Sequence, residues 1–130
     1  MADSRDWSEW VQYAETDWRR GSRDVTEFPR GAGFDLHQSA EKYLKAILVH
    51  QKIEVPFSHD LQALLEIIDS DLAFDSREML ASKLLTLVAP RGRYPGNFGE
   101  PTVPEAKALM EASGVLRGFA RTKLNLVEES

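Results

Sequence analysis

Apolar residues recur at helical spacing along nearly the whole chain. Trp7, Trp10, Val11, Ala14 and Trp18 fall at i, i+3, i+4, i+7 and i+11, the stripe that one side of an α-helix buries. Asp3 or Ser4 is the expected N-cap. Arg19 and Arg20 suit the negative end of the helix dipole, and Gly21 and Ser22 are the expected stop. A second helix is predicted to enter between Pro29 and Gly33. It places Leu36, Ala40, Tyr43, Leu44, Ile47 and Leu48 on one face and Gln38, Glu41, Lys42 and Lys45 on the opposite one. Val55 before Pro56 should end it, because the residue ahead of a proline avoids helical geometry.

Three further helices follow from the same spacing. Ser58 is the expected cap of the third, with Leu61, Leu64, Leu65 and Ile68 as its buried stripe. Asp75 to Glu78 reads as a capping box, with an aspartate cap, opening a fourth that carries Leu80, Leu84, Leu87 and Val88. Thr102 to Glu105 is a second capping box, with Pro104 in the first turn where its missing N–H costs little. That last helix carries Ala106, Leu109, Leu116 and Ala120, while Gly114 and Gly118 weaken it and mark a close helix approach. Pro90 to Pro101 is rich in proline and glycine and reads as a long loop, the first place to look for binding. No run alternates as a strand. The expected architecture is an all-α, antiparallel up-and-down bundle of about five helices.

Size and composition narrow the picture. The 130 residues suit a single domain spanning 1–130, and 42% hydrophobic residues are enough for a core. No apolar run reaches membrane-spanning length, so no membrane association is expected. No secretory signal is visible and there is no cysteine; a cytoplasmic location is expected, without disulfides or thiolate chemistry. The net charge of −5 disfavours broad binding of long nucleic acid, which needs a basic face. Local basic groups remain, at Arg19, Arg20, Arg23 and Arg30, and at Arg91 and Arg93.

The order of several motifs carries a resemblance. Trp10 and Asp17 lie on the first helix. Gln38, Glu41, Lys42, Leu44, Lys45 and Ala46 then form a Gln-x-x-Glu-Lys-x-Leu-Lys-Ala run. His59-Asp60-Leu61 follows a proline loop, and Arg93-Tyr94-Pro95 precedes the last helix. Over roughly residues 7 to 125 this resembles the HEPN domain. The resemblance implies a helical bundle that forms a homodimer, often beside a separately encoded nucleotidyltransferase, as toxin and antitoxin in some cases. It also implies nucleotide or RNA as a ligand class. Ribonuclease members use Arg-x(4–6)-His near the end of the bundle, where imidazole moves protons and guanidinium stabilises phosphate charge. Here the histidines are His37, His50 and His59, and no arginine in the second half is followed by one.

The expected function is therefore a non-catalytic HEPN-like interaction module, with a nucleotidyltransferase partner and a nucleotide or RNA ligand. The alternative is a metal-independent ribonuclease using a relocated Arg30 and His37, which have six residues between them. Candidate nucleotide or RNA contacts are Arg23, Arg30, Arg91, Arg93, Tyr94 and Asn97, since guanidinium holds phosphate and tyrosine stacks on bases. Gln38, Glu41, Lys42, Lys45 and His59 are the family-motif residues; Glu41 is expected to pair with Lys45 at i,i+4, and Tyr43 to lie in the core. His37, Glu41 and His59 share the residue types of a metal site, yet a hydrogen-bonded surface pair is the favoured reading. No metal and no cofactor are expected.

Overall fold

In the computed structural model, residues 6–91 and 99–126 are described. Five α-helices run as α1 (Trp7–Asp24), α2 (Pro29–His50), α3 (Leu61–Ile68), α4 (Arg77–Val88) and α5 (Val103–Lys123), with no strand among the described residues. The antiparallel all-α bundle is built around α2, which packs against α1, α5, α3 and α4. Its Leu36, Tyr43, Leu44, Ile47 and Leu48 are fully buried, and Leu61, Leu64, Leu65, Leu85, Leu109 and Leu116 close on them from three other helices.

Helix ends depart from the expected positions, each for a local reason. Asp6, not Asp3 or Ser4, caps α1, its carboxylate accepting from the Ser8 N–H at 3.0 Å. α1 runs past Gly21 to Asp24 because Gly21 is a contact point, not a stop. A Cβ there would lie 2.8 Å from Leu36 Cγ and 3.2 Å from the Ala32 carbonyl. α2 ends at His50, well before Pro56. Lys52 takes φ 61° while its N–H donates to Val49 O and that of Ile53 to Leu48 O, a Schellman closure made without glycine. Asn125 closes α5 in the same way. Asp60 rather than Ser58 caps α3, accepting from the N–H groups of Gln62 and Ala63; Ser58 Oγ accepts from Asp60 N–H one step earlier. Ser76 rather than Asp75 caps α4, accepting from Met79 N–H. The Thr102–Glu105 capping box forms as expected.

The buried face of α4 is one that the sequence pattern does not single out. Leu80 and Leu87 turn outward, 52% and 71% exposed, Leu84 and Val88 are half-buried, and Met79, Ala81, Ser82, Leu85 and Ala89 face the core. α4 is apolar on nearly every side, so periodicity alone does not select a face. The face chosen holds the small residues Ala81, Ser82 and Ala89, the last of which lies close to α2, where a Cβ on Gly33 would stand 3.7 Å from Ala89 Cα. The α1 stripe holds in weaker form. Ala14 is fully buried, while Trp7, Trp10, Val11 and Trp18 pack half-buried against the core.

The helical glycines separate on the same argument. A Cβ on Gly114 would lie 3.3 Å from the Trp18 ring, the expected close approach, whereas one on Gly118 meets nothing within 4 Å among the described residues. Gly118→Ala should therefore raise stability by about 0.5–1 kcal/mol. Gly21→Ala should lower it by about 1–2 kcal/mol, the overpacking against Leu36 outweighing the helical gain. Paired denaturant titrations check both signs.

Candidate functional site

Phe34, His37, Gln38 and Glu41 lie at i, i+3, i+4 and i+7 on α2, so helical geometry stacks them on one side. His59 from the α2–α3 loop and Thr86, Ala89 and Pro90 from the end of α4 face them across a cleft of about 320 Å³. Polar groups here are few and convergent against an apolar wall, the composition of a small-molecule site.

Glu41 organises this cleft. Its side chain is only 5% exposed, and it accepts hydrogen bonds from Lys45 Nζ at 2.8 Å and from His59 Nδ1 at 2.9 and 3.0 Å. A carboxylate only accepts, so Nδ1 of His59 carries the proton and Nε2 is directed away from Glu41. The Ser58 and Asp60 turn bonds fix the loop on either side of His59. The Gln38, Glu41, Lys42 and Lys45 strip is thus not an outer face. α2 is the central helix, covered on several sides, and Glu41 and Lys45 tolerate burial because each neutralises the other.

The remaining motif residues serve other contacts. Lys42 reaches Asp17 at 2.7 Å, joining the two family positions of α1 and α2. Arg20 stands 3.6 Å from both Asp17 and Asp35, and burial pushes the Asp35 carboxyl up despite Arg20. Among the candidate cations, Arg91 follows the cleft residue Pro90 directly. It donates to Glu105 at 2.7 Å and to Gly99 O at 3.4 Å, tying the two ends of the loop together. Backbone and side-chain bonds from Thr102 and Arg91 hold the Glu105 carboxyl below its ordinary value. Arg30 lies two turns before His37, exposed, 4.0 Å from Glu100 and outside the cleft lining. Arg23 pairs with its neighbour Asp24 at the end of α1, also outside the lining. Arg93, Tyr94 and Asn97 lie outside the described residues. His37, Glu41 and His59 share the cleft, but no group of three His, Asp or Glu among the described residues is placed to hold a metal ion.

A second polar cluster escaped the sequence reading. Tyr43 is fully buried and its hydroxyl donates to Glu15. Arg117 binds the same carboxylate through Nε and Nη2 at 2.8–3.2 Å, and Arg121 donates to the Tyr43 hydroxyl at 3.3 Å. Burial and the Glu15 hydrogen bond push the Tyr43 phenol up to about 12. Burial alone would raise the Glu15 carboxyl, but bonds from Arg117 and Tyr43 outweigh it and hold that group low. The available signal was Tyr43 itself, since a tyrosine placed in the core requires a partner for its hydroxyl.

Comparison with known proteins agrees with this architecture. The crystal structure of TT1696 from Thermus thermophilus superimposes with a TM-score of 0.75 at 20% sequence identity, covering 90% of this chain and 97% of that one. At that identity the likeness establishes the fold alone. No curated protein matches the chain. No helix among the described residues is long and apolar enough to cross a membrane. The HEPN domain family model matches residues 7–123, nearly the whole of the helical bundle, and the chain belongs to the HEPN domain family.

Proposed function

We propose that the chain is a homodimeric, non-catalytic HEPN interaction module that binds a nucleotide in the α2–α4 cleft and acts with a separately encoded nucleotidyltransferase. The observation carrying this reading is the cleft's composition. Phe34 and the apolar wall of Ala89 and Pro90 offer a surface for a base, and the Gln38 amide both donates and accepts toward its edge. Its volume of about 320 Å³ is near the small end of known ligand pockets, suiting a mononucleotide better than an RNA strand. Arg30 lies outside the cleft lining, two turns before His37 on α2 and about 10 Å along its axis, where a phosphate chain extending from the cleft would reach it.

Two features weigh against the ribonuclease reading with Arg30 and His37. Arg30 does not line the cleft that His37 lines, and Nδ1 of the neighbouring His59 is committed to Glu41. RNA incubated with the protein and a chelator should remain intact; cleavage abolished by His37→Ala would establish that alternative instead.

Calorimetric titration with ATP, GTP and a short RNA tests the main reading. ATP or GTP should bind saturably and more tightly than RNA, and Phe34→Ala or Gln38→Ala should weaken binding about tenfold, roughly 1.4 kcal/mol. Absence of binding heat for every nucleotide, with no nucleotidyltransferase co-purifying from the native source, contradicts it.

A further inference from the structure

α4 leaves a surface that the bundle does not use. Leu80 and Leu87 are exposed at i and i+7, with the half-buried Leu84 between them at i+4, and Phe74, 77% exposed, has Lys83 Nζ 3.4 Å from its ring centroid. Scattered exposed leucines are ordinary, but an aligned apolar strip is the mark of an interaction site. From the start of α4, Arg77 and Glu78 border a groove of about 670 Å³ against the C-terminal half of α5. This groove shares no residue with the nucleotide cleft.

Gly118 lines the groove. Unlike Gly114, which makes room for Trp18, it makes room for nothing among the described residues. A glycine in mid-helix is destabilising against alanine, and no packing among the described residues accounts for it. The groove is also cationic in a chain of net charge −5: Arg77, Arg117 and Lys123 line it against the single carboxylate of Glu78. Arg117 is committed to Glu15. Arg77 makes no hydrogen bond or ion pair among the described residues, and Lys123 only stands 5.4 Å from the Phe119 ring centroid.

We propose that this groove and the adjoining leucine strip dock an amphipathic helix of a partner protein, one whose apolar stripe is flanked by acidic residues. The partner backbone approaches over Gly118. Its apolar side chains meet Phe119 and Leu80, and its carboxylates meet Arg77 and Lys123. This is recognition of a helix in a groove, with charge selecting the partner. Charge also disfavours a second copy as occupant, because pairing two such grooves opposes Arg77 and Lys123 to their own kind. The inference rests on the reading of the chain as an interaction module but not on the cleft, and its test uses no nucleotide.

The test places a photo-crosslinking benzoylphenylalanine at Thr122 on the rim, with Gln12 on exposed α1 as control, in the full chain in its native cells. Thr122 should cross-link to an acidic amphipathic helix of one protein and Gln12 should not. A synthetic peptide of that helix should bind the native chain at least about tenfold more tightly than Arg77→Glu/Lys123→Glu or Gly118→Trp variants, with both variants keeping the native circular dichroism. Cross-linking to a second copy, to nucleic acid or to nothing overturns the proposal, as does a peptide that binds the variants equally well.

Discussion

Glu41→Ala should lower the unfolding free energy by about 3–5 kcal/mol, because it strands the Lys45 ammonium in the interior. The magnitude follows from burial, not from the pair's intrinsic attraction. Lys45 is 9% exposed, and its ammonium donates to Glu41. A lone buried ammonium either stays charged without a partner or loses its proton, and both cost stability. His59 loses its anchor in the same variant and the α2 wall of the cleft loses its shape, so nucleotide binding should fall as well. Glu41→Ala/Lys45→Met separates the two effects. Removing both charges should recover most of the lost stability while leaving His59 unanchored and binding weak. Urea unfolding of the two variants, followed by titration of the rescued one, checks both parts.

Glu15→Ala should cost a comparable amount, about 3 kcal/mol. One carboxylate here serves the Arg117 guanidinium and the Tyr43 hydroxyl directly, with Arg121 3.9 Å away. Its loss leaves two cations facing each other across a buried phenol. The cluster also sets a pH window. The Glu15 carboxyl is held low in the fold, so its contribution is fully present above the unfolded value of 4.5 and fades as pH falls through the lower folded value. The Tyr43 phenol is raised, so its contribution is present below pH 10 and is lost as pH climbs toward about 12. Unfolding free energy measured against pH should decline at both ends, and Tyr43→Phe should remove the alkaline decline that this phenol causes.

The fold was legible because most helices announce themselves by a stripe and a cap. α5 shows both, with Thr102 and Glu105 ahead of Ala106, Leu109, Leu116 and Ala120. α4 was legible as a helix but not in its orientation, since leucines on one side and small residues on the other compete for the core. Lys52 explains the missed end of α2: lysine does not favour a left-handed backbone, so composition gave no warning of the closure it makes, whereas Asn125, which closes α5, is of a type that does. The site was half legible. Gln38, Glu41 and His59 stood out as a motif, and the structure brings them together in one cleft. Phe34, Thr86, Ala89 and Pro90 did not, because a cleft wall assembled from α2 and α4 is a product of packing between segments distant in sequence. Arg30 and Arg23 were chosen on residue type, and packing leaves both outside the cleft lining.

The cleft around Glu41 and His59 is proposed to receive a nucleotide without cutting RNA. Titrating ATP into protein labelled with nitrogen-15, and following the side-chain signals of His37, Gln38 and His59 by nuclear magnetic resonance, tests it most directly. Saturable shifts at these three residues, with those of His50 unmoved and the ATP unchanged at the end, are the expected result. Signals that stay still throughout the titration, or shifts confined to residues away from the cleft, would contradict the account.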